Sequence, residues 1–162
     1  ETLTLKSNEI HLGKGGESLA DTAKILSTFG DGFVLRSNSD KKMEEFKKYL
    51  NIPFINGLSP SSHPAQVLSD IFTVEEIKKK NISNLCIAWI GDCNNVLNSL
   101  IIASIKFSFK LNIGCPKNYK PKKSVLNFAK KNNKKIKRIF SKGEFPKRGD
   151  MSLKRLKKII KL

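Results

Sequence analysis

At 162 residues the chain is long enough for one ordinary domain with its own core and short for two complete ones. No apolar run reaches the roughly 18 residues of a membrane span, and the N-terminus has no signal-peptide pattern, so a cytoplasmic protein is expected. The net charge of +17 invites a nucleic-acid reading, yet residues 1–116 hold 13 Lys/Arg against 12 Asp/Glu, while residues 117–162 hold 18 against 2. The charge belongs to the last third. Lys outnumbers Arg 27 to 4, and Asn and Ile are abundant. An AT-rich coding sequence produces that mixture, whereas a phosphate-binding surface more often recruits Arg forks.

In chain order, "GESLADTAKILSTF" reads as an amphipathic helix, with Ser18 and Asp21 as a loose capping box and Leu19, Ala23, Leu26 and Phe29 near one face. "GFVLR" is a short strand. "KKMEEFKKYL" is a helix with Met43, Phe46 and Leu50 on one side, and "IPFING" is a strand entering a loop. "HPAQVLSDIFTVEEIKKK" is a long helix with Pro64 at its first position, where a missing N–H costs nothing. "LCIAWIG" is continuously apolar and predicts a buried strand. "NNVLNSLIIASIKF" is a helix, "KLNIGC" a strand, "KKSVLNFAKKN" a helix and "KKIKRIF" a strand. Alternating strands and helices predict an α/β fold of parallel sheets with flanking helices. A composition break near Ser141 opens a basic segment, turn-like and then amphipathic. Cys86, Cys93 and Cys115 are odd in number and lack metal-ligand spacing; Cys86 and Cys115 lie in apolar strands and are expected as buried small hydrophobes in a reducing compartment.

Three short stretches can carry chemistry. Arg36 closes "GFVLR", at the carboxyl end of a parallel strand, where open α/β folds bind ligands. Its ordinary reading is a surface ion pair, and its functional one is a phosphate or carbonyl contact. Pro64 places His63 at or just before a helix N-cap and Gln66 in the first turn, where free N–H groups and the helix dipole favour an anion. Taken alone, those residues are better explained by plain capping. In "WIGDCNNVLNSL" a strand ends at Gly91 and a helix starts near Asn95, so Asp92 and Asn94 read either as turn and cap residues or as part of a substrate site. The dinucleotide-binding spacing G-x-G-x-x-G is absent.

The order of these stretches is more specific than any one of them. "GESLADTAKIL", the strand-end Arg36, "INGLSPSSHPAQVLSD", "WIGDCNNVLNSL" and "LNIGCPKNYKP" together resemble the aspartate/ornithine carbamoyltransferase family over residues 10–136. "HPAQVLSD" matches the shared HPxQxLxD pattern, and "GDCNNVLNSL" is similar to the GDxNNVxNS form of the ornithine branch.

The resemblance implies carbamoyl transfer from carbamoyl phosphate to the side-chain amine of L-ornithine, giving citrulline and phosphate in arginine metabolism, with no metal or organic cofactor. It implies that Arg36, His63 and Gln66 contact carbamoyl phosphate, Arg36 and His63 polarising its carbonyl oxygen. His11 matches a phosphate-contacting position reached from a neighbouring subunit of a homotrimer, Asn95 an ornithine-binding asparagine, and Asp70 a position behind the site. On this reading residues 1–72 are the second half of a carbamoyl-phosphate domain, residues 73–140 the first half of an ornithine domain, and residues 141–162 a divergent basic tail.

Departures from the family pattern qualify that expectation. The loop "LGKGGES" is one residue longer than usual, and the family's Ser-Thr-Arg-Thr phosphate run is absent. After Ile139 there is no Asp followed by Ser-Met and no His-Cys-Leu-Pro segment, both of which serve the acceptor amine. The chain opens on Glu1 rather than Met. The expectation is therefore a truncated, catalytically incomplete chain, its tail a frameshift, a truncation or divergence. The alternatives are a basic nucleic-acid- or anion-binding protein, and a carbamoyltransferase using another amine such as putrescine. The tail offers few aromatics for stacking, so nucleic acid is the weaker partner, and no membrane partner is expected.

Overall fold

The computed structural model describes residues 1–6, 17–116, 121–132 and 136–141, and the chain divides into two units, Glu1–Pro60 and Ser61–Leu162. His11 and the tail beyond Ser141 lie outside the described residues.

In the first unit, helix α1 spans Leu19–Leu26 and starts as its sequence dictates: Ser18 Oγ accepts from the Asp21 N–H at 3.1 Å and bonds Asp21 Oδ2 at 2.6 Å. Ala23 and Leu26 are buried, but Phe29, expected on the same face, is 64% exposed. The helix stops short of it. Ser27 and Thr28 turn their hydroxyls onto the Ala23 and Ile25 carbonyls at 2.7 Å each, closing the last turn before position 29. Strand β1 (Phe33–Arg36) and strand β2 (Phe54–Leu58) pair in parallel, with helix α2 (Asp40–Lys47) between them in sequence. Phe46 is fully buried, with its ring centroid 5.2 Å from that of Phe33, and joins Ala23 and Leu26 in a small core. The opposite sheet face, with Val34 and Ile55, is open.

In the second unit, helix α3 (Pro64–Lys78) is followed by a 3₁₀ turn (Ile82–Asn84), strand β3 (Cys86–Ile90), helix α4 (Asn95–Lys106), strand β4 (Lys110–Pro116), helix α5 (Lys123–Asn132) and strand β5 (Ile136–Ser141). The strands are parallel in the order β3-β4-β5. Central strand β4 is the interior one, with Leu111, Ile113 and Cys115 fully buried. They pack with Val67 and Ile71 of α3, Leu97 and Ile101 of α4, and Phe109.

Both units are α/β with parallel strands and flanking helices, as the alternation predicts. Two expectations fail at β3. This strand is an edge of the sheet, its residues are exposed or half-buried, and Cys86 is exposed rather than buried, its Sγ accepting from Asn112 Nδ2 at 3.4 Å. A continuous apolar run signals a strand that can be covered on both faces, but not where in the sheet it will stand. Cys115, on the central strand, is buried as expected. Among the described residues no helix is long and apolar enough to cross a membrane.

Candidate functional site

Arg36 is the last residue of β1 and is exposed. The register shifts beside it: Leu35 pairs with Asn56, but Arg36 pairs with Leu58, so Gly57 is the extra residue of a bulge. A Cβ on Gly57 would lie 3.1 Å from Val34 Cγ1 and 3.3 Å from the Leu35 carbonyl oxygen, so a larger residue there would need its neighbours to give by a few tenths of an ångström. Bulges bend a strand and re-aim its side chains, and this one sets the strand end from which Arg36 projects. The Ser37 N–H donates to the Leu58 carbonyl at 3.0 Å, fixing the chain just after it. Sequence reasoning placed Arg36 but missed Gly57, whose signal was a glycine inside a strand pattern.

His63 is the N-cap of α3 and Pro64 its first residue. The imidazole makes no capping hydrogen bond, and Nδ1 is buried with no partner among the described residues. The loop is held instead by its backbone and neighbours. The His63 N–H donates to Ser99 Oγ at 2.8 Å, the Ser62 and Ser99 hydroxyls are 3.0 Å apart, and Asn98 Nδ2 donates to the Ser61 carbonyl at 3.1 Å. Gln66 is exposed in the first turn, and its Nε2 donates to Asp70 Oδ1 at 2.8 Å. The two side chains of the HPxQxLxD pattern are thus one helical turn apart and bonded. That bond orients the Gln66 amide.

The turn from β3 to α4 is built from its own residues. Gly91 takes φ +148°, a conformation that side-chain-bearing residues avoid, and the Trp89 indole N–H donates to the Asp92 carbonyl at 3.0 Å. Asn94 caps α4, its Oδ1 accepting from the Val96 and Leu97 N–H groups at 3.0 and 3.2 Å. Asn94 is therefore committed to the helix, and Asn95 is the first residue within it.

Arg36 belongs to the first unit, and His63, Gln66, Asp70 and Asn95 to the second. Within the second, the Ser62, Ser99 and Asn98 bonds bring the start of α3 against the start of α4, so His63 and Asn95 stand on elements joined at their N-terminal ends. His11 lies outside the described residues. Asn98 and Ser99 close the GDxNNVxNS pattern but were given no role from sequence; the further signal was two polar residues on the core side of an apolar helix. Taken unit by unit, the first offers a guanidinium at a strand end, and the second offers helix N–H groups with an imidazole and an amide; each is chemistry that suits an anionic or polarised oxygen.

Comparison with known proteins identifies the family. Residues 1–76 match the carbamoyl-phosphate-binding domain of the aspartate/ornithine carbamoyltransferases, and residues 83–146 match the family's aspartate/ornithine-binding domain. The ornithine carbamoyltransferase of Methanocorpusculum labreanum is 42% identical over 134 residues, covering 83% of this chain and 43% of that protein. The Brucella ovis ornithine carbamoyltransferase is 39% identical over 132 residues, 82% of this chain and 42% of its own length. The chain thus spans less than half of these relatives. Among solved structures, the anabolic ornithine carbamoyltransferase of Campylobacter jejuni superposes with a TM-score of 0.75 at 36% identity, covering 83% of this chain and 46% of that one. The Pyrococcus furiosus enzyme superposes with a TM-score of 0.75 at 30% identity, covering 98% of this chain and 55% of that one. With both domain profiles matched in sequence order, and with like-named relatives found by sequence and by structure, the chain belongs to the aspartate/ornithine carbamoyltransferase family.

Proposed function

We propose that this chain carries the carbamoyl-phosphate side of a transfer of the carbamoyl group to the side-chain amine of L-ornithine. The observation that carries the reading is the start of α3, where Pro64 sets the helix, His63 is its N-cap, and Gln66 is oriented by Asp70. Those are the residues of the family pattern, and they stand where helix N–H groups favour a phosphate. Arg36 and His63 are assigned the carbonyl oxygen, Gln66 and His11 further contacts to carbamoyl phosphate, and Asn95 the acceptor. The amine nitrogen attacks the carbamoyl carbon, the C–N bond forms, and the C–O bond to phosphate breaks with its electron pair leaving on phosphate. The amine gives up one proton overall. Donors aimed at the oxygen where charge develops contribute a few kcal/mol each.

The half-sites are assigned to residues 1–72 and 73–140, in a protein that acts as a homotrimer in the cytoplasm. Supporting the acceptor assignment are the two domain matches and the names of the relatives. The sequence contains neither the Asp…Ser-Met nor the His-Cys-Leu-Pro run that serves the amine, so the 162-residue chain alone is expected to bind carbamoyl phosphate without making citrulline. Calorimetric titration of the purified chain should show saturable binding, weakened about tenfold or more by Arg36→Ala and by His63→Ala, the size expected for losing one charged or buried hydrogen bond. Binding that ignores both substitutions overturns the assignment, and appreciable citrulline from the chain alone refutes its incompleteness.

A further inference from the structure

We infer that Asn98 and Ser99, in the first turns of α4, are positioning residues for His63, a reading that rests on the proposed function and adds two residues to it. Three consecutive loop residues, Ser61, Ser62 and His63, are tied by two consecutive helix residues. Asn98 Nδ2 holds the Ser61 carbonyl at 3.1 Å, and Ser99 Oγ meets the Ser62 hydroxyl at 3.0 Å and accepts from the His63 N–H at 2.8 Å.

Asn98 and Ser99 are 3% and 5% exposed, on a helix whose neighbouring Leu97 and Ile101 are fully buried. Polar groups at such positions are costly unless they are bonded, and their bonds go to this loop. The Asn98 amide is fixed in sense, because a flipped oxygen would face the Ser61 carbonyl. Its Oδ1 is left buried with no partner among the described residues. Among the described residues, the one bond the Asn98 side chain makes is therefore the one to the loop.

His63 needs that support. Its ring makes no capping bond, and Nδ1 has no partner among the described residues. Ring direction is therefore set through the backbone, by the Ser99 bond on its amide and by Pro64 on the following residue. Asn95 lies four residues before Ser99, on the same side of α4 and about 6 Å along its axis. One helix thus carries both the residue assigned to the amine and the anchor of the residue assigned to the carbamoyl oxygen.

The test uses the full 162-residue chain with ¹³C-labelled histidine. The sequence has two histidines, so the ring signal missing from His63→Ala identifies His63. Ser99→Ala should shift or broaden that signal and weaken carbamoyl phosphate about tenfold, as for the loss of hydrogen bonds to a buried group. Ser99→Thr, which keeps the hydroxyl, should restore both, and Ile102→Ala, on the exposed side of the same helix, should change neither. Ser62→Ala removes one Ser99 contact from the loop side and should act in the same direction but less, so it carries the test if circular dichroism shows Ser99→Ala unfolded. Wild-type ring signals and affinity in Ser99→Ala, or in Ser62→Ala where that variant stands in, overturn this inference alone; so does an equal loss in Ile102→Ala. No saturable binding by the unsubstituted chain overturns the functional reading, and this inference with it.

Discussion

Among the described residues, the second unit has a three-stranded sheet with an interior strand whose Leu111, Ile113 and Cys115 are fully buried, whereas in the first unit two strands pair and neither is interior. The consequence shows in the side chains. The first unit buries Ala23, Leu26 and Phe46 on one face of its sheet and leaves Val34 and Ile55 at 64% and 51% exposure on the other. Parallel strands are ordinarily covered on both faces; an added strand makes an edge strand interior, whereas covering a face takes a packed layer, and Val34 and Ile55 remain exposed on theirs. Among the described residues, His63 therefore stands on an element packed into the larger core, and Arg36 on a strand supported from one side.

That contrast can be broken. Phe109→Ala, in the larger core, should cost about 3–5 kcal/mol in a urea titration followed by the fluorescence of Trp89, the one tryptophan. Phe46→Ala should fall at the low end, about 3 kcal/mol, because a small cluster collapses more readily around the gap. Amide exchange should already separate the regions in the unsubstituted chain, with β4 protected above β1 and β2. Equal protection would remove the contrast. Gly57→Ala sharpens it: a Cβ 3.1 Å from Val34 Cγ1 and 3.3 Å from the Leu35 carbonyl oxygen crowds the bulge, and the expected cost is about 1 kcal/mol in the same urea titration. Asn94→Ala removes the cap of α4 and should cost about 1 kcal/mol of thermal stability.

Much of this was legible in the residues, for reasons that are local. Ser18, Pro64 and Asn94 announce helix starts because capping needs a side-chain oxygen or a missing N–H at one position, and all three stand where they were read. Arg36 was readable as a strand end because the apolar run stops there. What escaped depends on partners far away in sequence. Phe29 fits the helical period, but two hydroxyls close the helix before it. The apolar run around Cys86 looks the same whether its strand is central or at an edge. The Gln66–Asp70 bond lay in the i, i+4 spacing and was available. The bonds from Asn98 and Ser99 to residues 61–63 were not, because they span more than thirty positions.

The claim that the start of α3 receives carbamoyl phosphate is tested most directly by the His63 ring signal itself. Titrated with carbamoyl phosphate, the ¹³C resonance of that ring should move saturably, with the half-point found by calorimetry and a weaker one in Gln66→Ala. A ring signal that stays in place while carbamoyl phosphate binds elsewhere on the chain would contradict the account.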